Sequence, residues 1–331
     1  MNDVARLAGV SSQTVSRAVN SPNLLSPATL AKVRRAIDLL DYHPNVAAQS
    51  LANRTVKMIG LFMPFTQEQV KSNMFFHSLS ATVCQRCAQH DFVLQLFTAN
   101  PDESYVRLFK RLYREKRVGG LLLTCPSMNT KEIGELRSSA VPFVLIGRPA
   151  APDLDVDYVD VDNAAGAHMA AQHLLNKGHR DIALLNAPKF MTLSEDLRSG
   201  VQRACQEQGE PVRFTEIHSE LTYKSGLEIM RRLIASDNRP TGIITADDLL
   251  ALTVKRAADE ARLRIPEDIA VISTFASGWY DVMEPELTHV DTGFERIGIV
   301  AAEHMMKVIL KKNPPPLRTV LDVKLTEGKS T

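Results

Sequence analysis

Short apolar runs alternate with longer amphipathic stretches through most of this 331-residue chain, and this alternation restricts the possible folds more than any other feature. From residue 58 onward the runs include MIGLFM, FVLQLF, GGLLLT, VPFVLIG, DIALLNA and DIAVISTF. Continuous apolar runs are typical of strands that are buried on both faces, as in parallel sheets covered by helices. The region 58–331 is therefore predicted to be a two-lobed α/β core with parallel sheets, and a ligand is expected at the carboxyl ends of the strands.

The first 43 residues contain helical patterns only, without any apolar run of the strand type. Val4 belongs to a first apolar stripe, Gly9 interrupts it, and Val15 belongs to a second. Ser26-Pro27 is a helix start signal, because Ser is a favourable N-cap and Pro fits the first helical position. Residues 1–43 are predicted to form three short helices with a tight turn between the first two.

Basic residues are concentrated in the same part of the chain. Residues 1–57 hold seven Lys/Arg against three Asp/Glu, whereas the remainder holds 32 against 35. The overall formal charge of +1 conceals this asymmetry. A local basic excess indicates a polyanionic partner for this segment.

The stretch GVSSQTVSRAVN, residues 9–20, combines helical spacing with many hydroxyl and amide side chains and no acid. In a helix that starts near Ser11, residues 12, 13, 16, 17 and 20 share one face. In the DNA major groove Arg suits guanine, Gln suits adenine, and Ser or Thr suit phosphates and other base edges. This pattern predicts a helix-turn-helix whose second helix enters the groove. The alternative is a solvated face of an ordinary helical bundle.

The segment DVARLAGVSSQTVSRAVN, followed by SPATLAKVRRAIDLLDYHPNVAAQSL, resembles the DNA-binding headpiece and hinge of the LacI/GalR family of bacterial transcription regulators. Later segments, among them IGLFMP, NMFF, VDVDNAAGAHMAAQHLLNKGHRDIALL, TADDLLAL and RIPEDIAVI, resemble landmarks of the family's core in the same order. Family members usually carry a few more residues before DVARLAGV, so the first helix is expected to lack its usual cap.

The resemblance implies a division of the chain into three parts. These are an all-α helix-turn-helix headpiece at 1–43, a hinge helix and linker at 44–57, and an effector-binding and dimerisation core at 58–331. The core would be like a periplasmic binding protein, with a first lobe at about 58–160 and 291–312 and a second at about 161–290 and 313–328.

The resemblance also implies a homodimer that reads a near-palindromic operator in double-stranded DNA. Residues expected to read base edges are Ser12, Gln13 and Arg17. Residues expected to make backbone contacts are Ser11, Thr14, Ser16 and Asn20. Leu51, in a hinge helix at 45–53, matches the family's residue that wedges into the central base step of the minor groove. The alternative for Leu51 is a small contact in the core between the lobes.

The effector site departs from the family pattern at three positions. Many sugar-binding members carry an Arg, an aromatic residue and an Asp where this chain has Leu197, Leu221 and Phe275. The residues expected to contact an effector are Phe75, Phe76, Arg148, Arg198, Asp247, Phe275 and Trp279. Phe75 and Phe76 have a core-packing alternative, and the adjacent pair Asp247-Asp248 could also suggest a metal or acid site.

These departures bear on the class of effector. A buried sugar hydroxyl without a partner loses about 1–3 kcal/mol, so an ordinary monosaccharide is expected to bind poorly. The segments PFTQEQVKSNMFF and IGRP resemble features of regulators for maltose-like α-glucosides, so a stacked disaccharide is the first expectation. A sugar phosphate or another anion held by Arg148 and Arg198 is the second.

Two other classes of function remain open alternatives. A periplasmic-type transport protein would need a signal peptide in place of the headpiece, and Asp3 and Arg6 interrupt any apolar run there. An enzyme would need a reaction motif, but P-loop, GxGxxG, GxSxG and HExxH patterns are missing, and no cofactor or metal is expected.

The remaining sequence signals are weak. Cys84-Gln-Arg-Cys87 has no second cysteine pair, so it is interpreted as helix packing rather than a zinc or redox site. His168, His173 and His179 are interpreted as surface or capping residues. No stretch reaches the roughly 18 apolar residues of a membrane span, and a cytoplasmic location, at the nucleoid when operator-bound, is expected.

The sequence predicts a DNA-binding transcription regulator, a repressor controlled by a small-molecule effector.

Overall fold

The computed structural model describes residues 1–20, 22–42, 55–64, 74–98, 104–124, 130–151, 154–312 and 314–331. The chain divides into two compact units, residues 1–57 and residues 58–331. The predicted hinge helix at 45–53, with Leu51, lies outside the described residues. The stretch 65–73, which holds most of the segment before NMFF, also lies outside them.

The first unit contains the three predicted helices. They are α1 (Asn2–Ala8), α2 (Ser12–Asn20) and α3 (Pro27–Leu39), with a short 3-10 turn at Pro22–Leu24. Gly9 ends α1 with a φ of 66°, a left-handed conformation that glycine adopts without strain. Ser26 caps α3 by accepting a hydrogen bond from the Thr29 amide, as its sequence predicted. No side chain caps α1, as expected for this helix.

A small apolar core joins these helices. Val4 from α1, Val15 from α2 and Val33 from α3 are fully buried in one cluster. Ala5 and Ala36 complete the buried set. Because each helix contributes only one or two buried residues to this core, most of the surface of each helix stays free for polar contacts.

The second unit begins with a six-stranded sheet. Its strands are β1 (Met58–Met63), β2 (Val93–Thr98), β3 (Gly120–Thr124), β4 (Phe143–Ile146), β5 (Tyr158–Val161) and β11 (Arg318–Leu321), in the order β11-β5-β4-β3-β1-β2. Its helices are α4 (Met74–Gln89), α5 (Tyr105–Arg114), α6 (Thr130–Ser138) and α11 (Phe294–Ile309). All pairs in this sheet are parallel. This part of the unit is called the first lobe.

The second lobe is built on another six-stranded sheet. Its strands are β6 (Asp181–Asn186), β7 (Arg213–His218), β8 (Gly242–Thr245), β9 (Ala270–Ser273), β10 (Thr288–Asp291) and β12 (Lys324–Thr326), in the order β12-β10-β9-β8-β6-β7. Its helices are α7 (Asn163–Asn176), α8 (Thr192–Gln206), α9 (Tyr223–Ile234) and α10 (Asp248–Glu260). Only the β10–β12 pair is antiparallel among the described strands. The two sheets confirm the predicted two-lobed α/β core.

One lobe boundary differs from the expectation. The segment 313–328 was expected to belong to the second lobe, but β11 pairs in parallel with β5 of the first sheet. The chain crosses to the second lobe only afterwards, where β12 pairs with β10. The short strand β11 covers the edge of β5, and its hydrogen bonds satisfy the backbone groups of that edge. The hydrophobic pattern of the sequence does not show which sheet edge a short strand will pair with.

Candidate DNA-reading face and effector cleft

The exposed face of α2 carries the residues that were predicted to contact DNA. Ser11, Ser12, Gln13 and Arg17 are exposed, whereas Val15 on the opposite side is fully buried. Thr14 and Ser16 are half-buried, and Asn20 is the last residue of the helix.

Short polar contacts organise the start of α2. The Ser11 hydroxyl accepts a hydrogen bond from the Thr14 amide at 3.1 Å and lies 2.9 Å from the Thr14 hydroxyl. The Ser12 hydroxyl donates to the Asn2 side chain of α1 at 2.9 Å. Arg17 is exposed and has no acidic partner within the described residues. Gln13 and Arg17 therefore present long polar groups to a partner from a helix whose start is fixed.

A cleft lies where the carboxyl ends of both parallel sheets meet, as the topology predicted. Including its open mouth, the space is about 1070 Å³. Its apolar walls consist of Phe75, Phe76, Ile146, Val161, Met191, Leu193, Leu221, Ala246, Phe275 and Ile297. Its other walls consist of Thr124, Gly147, Arg148, Asp160, Asn163, Thr192 and Asp247. A mostly apolar cleft with a few polar groups is typical of a small-molecule site.

Aromatic rings from both lobes touch beside this cleft. Phe75, in the first turn of α4, meets Phe275, which follows β9, with ring centroids 5.5 Å apart in an edge-to-face arrangement. Phe275 also lies 5.8 Å from the ring of Phe294, the first residue of α11. The second lobe thus places one aromatic ring between two rings of the first lobe.

An ion pair also joins the two lobes. Arg148 follows β4 of the first lobe, and Asp196 lies on α8 of the second. The Arg148 Nε donates to Asp196 Oδ2 at 3.3 Å, and its Nη2 donates to Oδ1. The side chain of Asp196 is only 9% exposed. Burial raises the pKa of Asp196, while the Arg148 guanidinium opposes that rise.

Asp160, at the end of β5, is the acidic group of the first lobe in the cleft. It accepts hydrogen bonds from the backbone amides of Arg148 at 3.0 Å and of Val161 at 2.8 Å. Burial raises the pKa of Asp160 to about 6, although these amides favour the charged form. A carboxyl group with this pKa accepts hydrogen bonds when ionised and can donate one when protonated.

Asp247, between β8 and α10, is the acidic group of the second lobe. Its side chain accepts a hydrogen bond from the Leu250 amide at 2.8 Å and so caps α10. Burial raises its pKa to about 7, and the neighbouring Asp248 adds to the rise. Asp248 is fully buried and is not among the residues that line the cleft. It accepts hydrogen bonds from the backbone amides of residues 277–280. The adjacent acids therefore have separate structural environments.

The cleft contains five of the seven residues that were predicted to contact an effector. These are Phe75, Phe76, Arg148, Asp247 and Phe275. Phe76 is also largely buried in the core of the first lobe, so the effector-contact and core-packing interpretations of this residue are compatible.

Arg198 and Trp279 do not line the cleft, which corrects the prediction for both. Arg198 lies two residues beyond Asp196 on α8, so its guanidinium bonds with Glu195 and, at 2.8 Å, with Gln202 along the helix. Trp279 begins a 3-10 helix, and its amide is bound by Asp248. Its indole Nε1 is buried without a partner among the described residues.

Several wall residues were not predicted from the sequence. Thr124 ends β3, Asp160 lies in β5, and Asn163 begins α7 directly after β5. The signal that identifies them is their position at strand ends, because the carboxyl ends of parallel strands share one edge. Asp196 lies on a helix and has no such signal.

The structure shows the surroundings of the cysteine pair and of the three histidines. Cys87 is buried in the first-lobe core with its pKa raised to about 11 by burial, as packing predicts, whereas Cys84 is exposed. His168 contacts Glu207, and His179 contacts Thr241. His173 is 8% exposed rather than a surface residue, and its ring bonds to the Thr331 hydroxyl.

Neither a metal-binding group nor a membrane span is found in the described ranges. No cluster of three or more His, Cys, Asp or Glu side chains could hold a metal ion there. Within the same ranges, every helix is too short or too polar to cross a bilayer.

A helix-turn-helix unit with an open polar face and a two-lobed core with a ligand cleft together define a ligand-controlled DNA-binding regulator. Comparison with known families agrees with this class. Residues 1–45 match the family model described as bacterial regulatory proteins, lacI family, and residues 171–331 match a periplasmic binding protein-like domain.

Known proteins are similar over nearly the whole chain. The HTH-type transcriptional regulator CelR of Thermobifida fusca is 31% identical over 324 residues, covering 97% of this chain and 95% of the relative. The ribose operon repressor of Escherichia coli (strain K12) is 31% identical over 306 residues, covering 92% and 91%. A solved structure described as a transcriptional regulator CelR-cellobiose complex is 28% identical, covers 100% of this chain and 99% of its own, and has a TM-score of 0.75.

The chain belongs to the LacI family of bacterial transcription regulators. The predicted function is confirmed at this level: the protein is a DNA-binding transcription regulator with a small-molecule-binding core. Its partners are operator DNA and an effector.

Proposed function

We propose that this regulator is a repressor that binds a near-palindromic operator as a homodimer, and that an uncharged disaccharide in the cleft controls its affinity for DNA. The observation that carries the effector class is the make-up of the cleft. Aromatic rings and buried carboxyl groups from opposite lobes face one space.

The aromatic part of the cleft suits the apolar face of a sugar ring. The edge-to-face contact of Phe75 and Phe275 leaves the cleft wall mainly apolar on that side. Aromatic faces provide large, shaped contact areas for partly apolar ligands.

The polar part of the cleft suits the hydroxyl groups of the same ligand. Asp160 belongs to the first lobe and Asp247 to the second, and each carboxyl group has acceptor sites beyond its backbone hydrogen bonds. A ligand that bridges these acids stabilises one arrangement of the lobes. The coupling to DNA binding then equals the difference between the ligand's affinities for the two arrangements.

Two relatives support a carbohydrate as the ligand class. One similar structure is described as a complex with cellobiose, and one similar protein is named a ribose operon repressor. The departures at Leu197, Leu221 and Phe275 favour the disaccharide over the pentose. Leu197 is buried in the second-lobe core, Leu221 and Phe275 line the cleft, and none of the three offers a polar group to a small sugar.

Calorimetry with cellobiose, maltose, ribose and galactose tests the effector proposal. A disaccharide is expected to bind at least tenfold more tightly than either monosaccharide, and Asp247→Asn is expected to weaken that binding. Asp259→Asn is the matched control, because Asp259 lies on α10 but is exposed and paired with Lys255. Tighter binding of ribose or galactose than of both disaccharides would contradict the proposal.

The DNA contacts belong to this proposal as well. Base edges are read by Ser12, Gln13 and Arg17, and backbone contacts are made by Ser11, Thr14, Ser16 and Asn20. The Ser12 bond to Asn2 supports a fixed geometry for the start of the reading helix. For the hinge, Leu51→Ala is expected to leave ligand binding intact and to reduce operator affinity and DNA bending sharply, because alanine is too small to fill a kinked base step.

A transport protein and an enzyme are the competing classes. The headpiece match over residues 1–45 supports the regulator over a periplasmic-type transport protein. The similar proteins described above are transcription regulators, which supports a binding role for the cleft and no catalytic one. The protein is proposed to act in the cytoplasm, at the nucleoid when it is bound to its operator.

A further inference from the structure

Arg148 is the only Arg or Lys among the described residues of the cleft wall. A guanidinium in a ligand site would ordinarily suggest a phosphate or carboxylate ligand, because its planar N–H groups match such anions. In this protein two of those groups already donate to the carboxylate of Asp196. The guanidinium of Arg148 is therefore already paired with a carboxylate of the opposite lobe.

The ion pair is partly shielded from water. Asp196 is 9% exposed and Arg148 is 37% exposed at their side chains. Although burial works against its charge, the hydrogen bond and the attraction of Asp196 raise the pKa of Arg148. A pair in this position is screened by solvent less than a surface pair.

The other charged groups of the described wall are acids. Asp160 binds the amide of Arg148, and Asp247 lies on the opposite wall. Asp160 and Asp196 both act electrostatically on the guanidinium of Arg148. A phosphorylated ligand would meet this excess of negative charge, whereas an uncharged ligand can donate hydroxyl hydrogen bonds to the same oxygens.

We infer that Asp196 is a specificity-determining residue, which makes the cleft select uncharged ligands over phosphorylated ones by occupying the guanidinium of Arg148. Asp196 does not line the cleft itself and acts through Arg148. The inference rests on the proposed carbohydrate function only for the identity of the uncharged ligand. It replaces the second expectation from the sequence, in which Arg148 and Arg198 hold an anion.

Calorimetry at pH 7 with the wild-type protein, Asp196→Asn and Glu195→Gln tests this inference. The probes are cellobiose, glucose 6-phosphate and inorganic phosphate. Glu195→Gln is the matched control, because it removes the same charge from the neighbouring residue, which pairs with Arg198 on the exposed side of α8. Circular dichroism and thermal melting establish that each variant is folded, and Asp196→Ser repeats the test if Asp196→Asn melts early.

The wild-type protein is expected to bind neither phosphate nor glucose 6-phosphate at millimolar concentration. Asp196→Asn is expected to bind both at least tenfold more tightly than the wild-type protein, and Glu195→Gln is expected to behave as wild type. Glucose 6-phosphate binding to the wild-type protein more tightly than cellobiose would overturn the inference. Folded Asp196 variants without any gain in phosphate binding would overturn it too.

The failure of the carbohydrate proposal has a different signature. If no sugar binds the wild-type protein but phosphate binds Asp196→Asn and not the wild type, the role of Asp196 stands and the carbohydrate assignment is wrong. If cellobiose binds the wild-type protein and all Asp196 variants reject phosphate, the carbohydrate assignment stands and the role of Asp196 is wrong.

Discussion

The buried carboxylate of Asp248 accepts a hydrogen bond from the backbone amide of Trp279 at 2.9 Å. The same oxygen, Oδ2, accepts from the amides of Ser277 at 2.8 Å and Gly278 at 3.0 Å. The other oxygen accepts from the Ser277 hydroxyl at 2.6 Å. One side chain on α10 therefore fixes the loop that follows Phe275, and through it the aromatic wall of the cleft.

Removing this carboxylate is expected to destabilise the second lobe strongly. Asp248→Ala leaves several buried amides without an acceptor, and such losses cost about 1–3 kcal/mol for each unsatisfied group. A decrease of at least several degrees in Tm is expected, together with weaker ligand binding. Asp259→Ala, an exposed change on the same helix, is the control and is expected to shift Tm by less than about a degree.

The pKa of Asp247 predicts an unusual pH dependence of stability. Its ordinary value is 3.8, and in the folded protein it is about 7. Between these values the folded protein holds a proton that the unfolded chain has lost, so the stabilising contribution of Asp247 is full below pH 4 and is lost as the pH rises through 7.

Asp247→Asn removes this titration and keeps a residue that can cap α10. As the pH rises from 5 to 8, the free energy of unfolding of the variant is expected to increase by about 1–3 kcal/mol relative to that of the wild-type protein. Urea unfolding at both pH values measures the difference. An equal free-energy difference between the two proteins at pH 5 and pH 8 would show that Asp247 does not titrate in this range.

Gly200 on α8 permits a close approach to α7. A Cβ atom at this position would lie 2.2 Å from the Ala164 carbonyl oxygen and 2.9 Å from the His168 amide nitrogen. Because both are backbone atoms of a helix, they cannot move aside as a flexible side chain would. Gly200→Ala is expected to lower the Tm of the core by several degrees, since overpacking typically costs about 1–3 kcal/mol.

Gly209→Ala is the control for this change, because a Cβ atom there would meet nothing within 4 Å. Its Tm is expected to remain near that of the wild type. If the two glycine variants melt at the same temperature, the close contact between α7 and α8 is not a constraint on the fold.

Arg17 is predicted to set base preference, whereas Lys32 on α3 is not. Arg17→Ala is expected to cost roughly 1–3 kcal/mol of operator affinity and to relax the preference at one position in each half-site. Lys32→Ala is expected to weaken binding at most slightly and equally for all sequences. Fluorescence anisotropy with single-base operator variants measures both effects, and identical profiles would show that α2 is placed in the wrong register.

The fold was predictable in large part because its signals are local. The apolar runs fall on the strands, and the Ser26-Pro27 start signal falls at the beginning of α3. The return of β11 to the first sheet was not predictable, because strand pairing at an edge depends on which partner is free and not on the strand's own pattern.

The cleft was predictable only where its residues follow strands. Asp247 and Phe275 are the second residues after the ends of β8 and β9, and both line the cleft. Arg198 and Asp196 are two residues apart on one helix, and only the three-dimensional structure shows which of them faces Arg148. The charge of the site depends on which of these two nearby helix positions faces it, and sequence spacing alone does not decide between them.

The protein is expected to recognise a specific DNA sequence with an affinity that depends on whether its cleft is occupied. The most direct test of this expectation is the affinity of a labelled operator, selected from random DNA, measured by anisotropy with and without a saturating disaccharide for the wild-type protein and Asp247→Asn. The disaccharide is expected to change the wild-type operator affinity by about 5- to 150-fold. Asp247→Asn is expected to raise the sugar concentration that is required, without changing the operator affinity in the absence of sugar. No selectable DNA sequence, or an operator affinity that stays the same when the cleft is occupied, would contradict this expectation.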